Sequence, residues 1–108
     1  MKLITKEIEK KLIKNKGEKG DMPYLKLFNP CGAATWLISE YDKETGLLYG
    51  LCDLGLGFPE LGYVSLEEIK AVKGPFGIGI ERDMGFRPNK TLAEYTREAE
   101  ANRSIEAW

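Results

Sequence analysis

Histidine is absent from the sequence. That removes the usual general base at neutral pH and the commonest nitrogen ligand of zinc. Ser-His-Asp and Cys-His nucleophilic catalysis fall with it, while Lys- or Asp-based variants survive. Sulfur is scarce as well. Cys31 and Cys52 are the only cysteines and form no CxxC pair, so neither a metal nor a cofactor is expected. No run approaches the roughly 18 apolar residues of a membrane-spanning helix, so no membrane partner is expected. Residues 1–7 lack the apolar stretch of a secretory signal. The expected compartment is a reducing cytosol, with both cysteines as free thiols. Neither sign of charge dominates: 16 basic and 17 acidic side chains leave a net charge of -1. A general nucleic-acid binder would carry a basic excess and a DNA mimic an acidic one.

What is present suits one folded domain over residues 1–108: 43% of residues are hydrophobic and 31% charged, as in ordinary globular chains. Charge is unevenly placed. Residues 1–20 hold seven lysines against three glutamates, and residues 40–70 hold seven acids against two lysines. Ile4, Ile8 and Leu12 recur every four residues, which predicts an amphipathic helix with the lysines on its wet face. Thr5 is its expected N-cap and Gly17 its expected C-terminal stop, with a mobile loop over 15–21. Strands are expected over 24–28, 35–41, 47–54 and 61–64, with 42–46 as a hairpin turn. Trp36, Ile38 and Tyr41 are expected on one core face, opposite Leu48 and Cys52. Ser65-Leu66-Glu67-Glu68 and Thr91-Leu92-Ala93-Glu94 both read as capping boxes, each opening a helix. The fold class is therefore α+β: a small antiparallel sheet of four to five strands, an N-terminal helix, a short helix after Val64, and a C-terminal helix and tail over 91–108.

Glycine marks two loops, Gly55-Leu56-Gly57-Phe58 and Gly74-Pro75-Phe76-Gly77-Ile78-Gly79-Ile80. Neither matches a phosphate-binding pattern in a strand-to-helix setting, and bulges or tight turns explain them better than an anion cradle. Glu81-Arg82-Asp83 follows directly. On a strand, Glu81 and Asp83 point one way and Arg82 the other. Paired carboxylates serve acid–base chemistry or hold magnesium. The favoured role is structural, with Arg82 pinning the Gly74–Ile80 loop under the shelter of Phe76 and Phe86. Trp36 reads as core first and as a ligand platform second. Asp53 and Glu60 flank the first glycine loop, Cys31 sits in a turn, and Trp108 is a candidate for docking on the domain or on a partner. The candidate binding residues are Trp36, Phe58, Glu60, Phe76, Glu81, Arg82 and Asp83; no catalytic residue is assigned.

The order of segments carries a resemblance. Leu3-Ile4-Thr5-Lys6-Glu7-Ile8-Glu9-Lys10-Lys11-Leu12, Glu60-Leu61-Gly62-Tyr63-Val64-Ser65-Leu66 and, above all, Gly74-Pro75-Phe76-Gly77-Ile78-Gly79-Ile80-Glu81-Arg82-Asp83 resemble a family of small uncharacterised proteins, a domain of unknown function. Its members are encoded on bacterial plasmids, conjugative elements and phages, often among antirestriction and conjugation genes. The resemblance covers about residues 3–92 and brings no catalytic residue with it. It implies an accessory protein of a mobile element. Joined to the exclusions above, it makes binding of a macromolecular partner the expected activity. The concrete form is anti-defence: inhibition of a host restriction or CRISPR effector. The alternative is a carboxylate-based or metal-dependent hydrolase using Asp53, Glu81 and Asp83. A second alternative is association with DNA through the lysine-rich first helix.

With no metal-ligand pattern, the melting temperature is expected to stay unchanged when a chelator is added. A fall of many degrees overturns that expectation and favours the hydrolase.

Overall fold

Alternation along Leu25-Lys26-Leu27-Phe28 sends the leucines to one side of a strand and Lys26 to the other. The computed structural model describes residues 2–18 and 20–107, so Trp108 lies outside the described residues. This strand is β1 (Leu25–Phe28), followed by β2 (Thr35–Asp42), β3 (Leu47–Asp53), β4 (Glu60–Ser65) and β5 (Glu81–Arg82). Every pairing is antiparallel and the order is β4-β3-β2-β1-β5. The first four strands thus form a meander, and the chain then crosses the sheet to add β5 beyond β1. Three helices complete the α+β architecture: α1 (Lys6–Glu18), α2 (Leu66–Ala71) and α3 (Leu92–Asn102).

Each face of the sheet has its own core. On the first, Leu25, Leu27, Trp36, Ile38 and Leu48 pack with Leu12 of α1 and with Leu66 and Ile69 of α2. On the second, Leu37 and Leu51 meet Leu92, Tyr95 and Ala99 of α3, joined by Phe86 and Ala107. Each fully buried leucine contributes about 1.5–3 kcal/mol. Trp36 stands opposite Cys52 and Tyr41 opposite Leu48. That parity requires one extra residue between Ile38 and Tyr41. Ser39 supplies it as a β-bulge between Ile38 and Glu40, and Gly50 makes the bulge possible. A Cβ there would lie 2.0 Å from the Leu37 carbonyl oxygen.

The bulge frees a carbonyl, and Asn15 of α1 takes it. The Asn15 Nδ2 donates to the Ser39 oxygen at 2.9 Å and to the Met22 oxygen at 2.9 Å. This corrects the expectation of a mobile loop from Asn15. The helix runs through Gly17 to Glu18, and buried Asn15 cross-links helix, bulge and the segment entering β1. Thr5 caps α1 as expected, its Oγ1 accepting from the Ile8 N–H at 3.1 Å. The capping box at Thr91 is complete. The one at Ser65 is only half formed: its Oγ accepts from the Glu68 N–H, with no return bond from Glu68 among the described residues.

Lys26 and Asp53 hold the C-terminal segment across the second face. Arg103 turns left-handed after α3. The Ile105 N–H then donates to the Asp53 carboxylate at 2.9 Å, and the Lys26 ammonium donates to the Ala107 oxygen at 2.7 Å. The other Asp53 oxygen accepts from the Gly55 N–H at 2.8 Å. Asp53→Ala removes both acceptors from a buried site and is expected to cost about 2–4 kcal/mol, read as a lower urea midpoint. Asp53→Asn keeps one acceptor and should cost roughly half as much. Equal costs for the two variants would refute this account.

Candidate functional site

The turn between β1 and β2 is the back wall of the most exposed apolar part of the molecule. Asn29 shapes it: its side-chain oxygen accepts from the Cys31 N–H at 2.9 Å, and its own N–H donates to the Ala34 oxygen at 3.0 Å. Both glycine loops lean on this turn. A Cβ at Gly55 would lie 2.5 Å from the Ala33 side chain, and one at Gly74 would lie 3.4 Å from the Cys31 Cβ. Gly55 also has a φ of 83°, where any other residue would be strained. The two loops that stand apart in the sequence thus meet at one end of the sheet.

Their side chains point outward. Leu54, Leu56 and Phe58 are 59, 74 and 71% exposed, and Phe76 is fully exposed. Phe76 also adopts a left-handed φ of 59°, a conformation that costs a bulky residue about 1–3 kcal/mol and concentrates at functional positions. Next to the first loop runs β4, an edge strand that among the described residues pairs only with β3. Its Leu61 and Tyr63 are exposed on the second face, where Tyr63 lies against Tyr49 with ring centroids 5.0 Å apart. Burial raises the Tyr49 phenol above its ordinary pKa, and Tyr63, Glu40 and Asp21 push the same way. Phe58, Pro59 and Glu60 face Glu100 and Arg103 across a shallow groove of about 370 Å³. Scattered apolar residues are normal on a surface; here several of them gather in the loop and on the edge strand that follows it.

The seven candidate residues divide. Phe58, Glu60 and Phe76 stand at the exposed end. Trp36 is 7% exposed and lies in the first core, so it offers no ligand platform. Glu81, Arg82 and Asp83 belong to the opposite edge. Arg82 is a pin, but not of the glycine loop: its Nη1 donates to the Lys2 carbonyl and so holds the segment before α1. Phe76 gives it no shelter, and Phe86 packs on the second face against Tyr95. Asp83 accepts from the Gly85 N–H at 3.0 Å and pairs with Lys26 at 3.3 Å. The carboxylates of the alternative hydrolase therefore do not converge. Asp53 on β3 and Asp83 beyond β5 are three strand spacings apart, about 14 Å. Among the described residues, no three Cys, Asp or Glu side chains could jointly hold a metal ion. Sequence reasoning missed Leu61 and Tyr63, because their exposure depends on β4 being an edge.

The two cysteines are free and differ in environment. Burial, with Glu60 adding, pushes the Cys52 thiol up to about 11, while Cys31 is exposed. A thiol reagent at pH 8 is therefore expected to modify Cys31 quickly and Cys52 slowly in the folded protein. The folded pKa of Cys52 exceeds the ordinary value of 9.0. Its protonated form thus favours the fold fully below pH 9, and that contribution is lost as pH rises towards 11. Equal labelling rates at pH 8 would contradict this assignment.

The chain matches a family model described as Protein of unknown function (DUF2958) over residues 3–106. No curated protein and no solved structure matches it. The family match runs past the expected limit near residue 92, so α3 and the segment tied to Asp53 through Ile105 are part of the family's domain. With all but the first two and last two residues matched, the chain belongs to the DUF2958 family.

Proposed function

We propose that this protein binds a macromolecular partner, a protein, through the open edge of β4 and the apolar loop end beside it. The observation that carries this is a set of exposed apolar side chains, Leu61 and Tyr63 on β4 and Leu54, Leu56 and Phe58 in the loop that enters it, beside an edge whose outer hydrogen-bonding groups have no strand partner among the described residues. An extended segment of the partner adds to β4 through main-chain bonds, and the apolar side chains supply the anchors. Glu60, Glu67 and Glu68 are exposed around this edge, which favours a partner segment of basic character.

The mobile-element setting that the resemblance implies gives this binding a purpose. The protein is an accessory factor of a plasmid, conjugative element or phage, working in the host cytosol against a defence system. Restriction and CRISPR effectors handle nucleic acid and therefore carry basic surfaces, which suits an acidic edge.

The test is inhibition of target cleavage by purified restriction and CRISPR effectors, together with co-precipitation of each effector. The wild-type protein is expected to retain one effector and suppress its cleavage. The triple variant Leu56→Ser, Phe58→Ser, Tyr63→Ser is expected to lose more than about tenfold in affinity. Its urea midpoint should move little, because these side chains are exposed. Binding that survives the triple variant, or failure of the wild type to retain any effector, counts against the proposal.

A further inference from the structure

A cleft of about 560 Å³ opens on the first face, between the segment before α1, the helix α2 and the hairpin-like turn that precedes β5. It shares no residue with the β4 surface. Its base is apolar: Ile4, Tyr41, Leu66 and Ile80 line it. Its rim is cationic, with Lys2, Lys70 and Lys73 set against one carboxylate, Glu9. That carboxylate is already engaged by the Lys43 ammonium at 3.2 Å. Lys70 holds only a 3.7 Å contact with exposed Glu67, an interaction of little strength in water. Lys2 and Lys73 have no ion pair among the described residues.

Two backbone features shape the rim. Lys73 and Gly79 form an isolated antiparallel bridge. A Cβ at Gly79 would stand 3.7 Å from the Lys73 Nζ and 3.0 Å from the Val72 oxygen. The bare glycine thus leaves the Lys73 ammonium beside the cleft wall. Arg82 in turn holds Lys2 at the opposite side by taking its carbonyl. The result is a concave site of ligand size with apolar residues and three lysines in its lining.

We propose that this cleft binds a small organic phosphate, of nucleoside diphosphate class. A single carboxylate would satisfy only one of three ammonium groups, whereas a diphosphate spreads several charged oxygens over them. Lysine meets phosphate as a point charge and needs no fixed fork geometry. The Tyr41 ring and the aliphatic side chains below it supply the surface for a planar body.

Calorimetric titration of the full chain with ADP, adenosine and inorganic pyrophosphate tests this. ADP is expected to bind at one saturable site with a Kd below about 1 mM. Adenosine and pyrophosphate should each bind at least about tenfold more weakly, and added salt should weaken ADP binding. Lys70→Gln with Lys73→Gln should weaken ADP at least about tenfold and leave the ligand-free melting temperature unchanged, since both side chains are exposed. Three results overturn the proposal: no saturable binding of ADP, ADP binding that survives the double variant, or pyrophosphate or adenosine binding as tightly as ADP. None of these bears on effector capture by the β4 surface.

Discussion

A buried ammonium is the constraint around which the second face is organised. Lys26 lies between two core leucines in β1, so strand alternation forces its side chain onto the second face, under the C-terminal segment. A charge placed there is tolerated only with full compensation. The Ala107 carbonyl and the Asp83 carboxylate are part of it, and Phe86 presents its ring 5.9 Å away. Asp53 is the complement two strands over, buried and closed by two backbone N–H groups. One cation and one anion on the same face thus hold a segment with no regular structure of its own. Removing either partner strands the other in a poorly solvated place, so the energetic weight of these contacts exceeds their number.

Both faces are largely covered by helices and by this segment, so most of the exposed apolar side chains lie in the loops and along the edge of the sheet. The glycine loops remain outside, backed by the β1–β2 turn, and among the described residues β4 has a strand neighbour on one side only. The rigid interior holds the exposed side chains in place, and the β-bulge at Ser39 sets the register on which that placement depends.

Much of this was legible from local chemistry. Strands followed from alternation, α1 from its fourfold apolar spacing, and α3 from Thr91 and Glu94, because each signal is carried within a few residues. The glycine loops were marked by composition, but what Gly55 and Gly74 approach, Ala33 and Cys31, lies far away in the chain. Long-range choices were not legible. Nothing near Lys26 indicates a carbonyl 81 positions away. Asn15 looks like a loop residue until the bulge it serves is known. Trp36 and Phe76 are both aromatic residues beside turn-forming segments, yet one is core and the other fully exposed. Strand order and loop packing separate them, and neither is written in a local pattern. The same holds for the β4 surface: Leu61 and Tyr63 resemble any half-buried strand residues until the sheet ends beside them.

The strand β5 is only two residues long, yet it sits between the two ends of the described chain. Arg82 grips the backbone at Lys2 on one face. Its neighbour Asp83 reaches Lys26 on the other, and Lys26 grips Ala107. Peeling this short edge away from β1 would free the segment at Lys2 and leave Lys26 without its carboxylate partner, while Ile105 stays tied to Asp53. One local opening thus loosens both extremities unequally, and the amide protons before α1 should exchange with solvent ahead of the one held at Asp53.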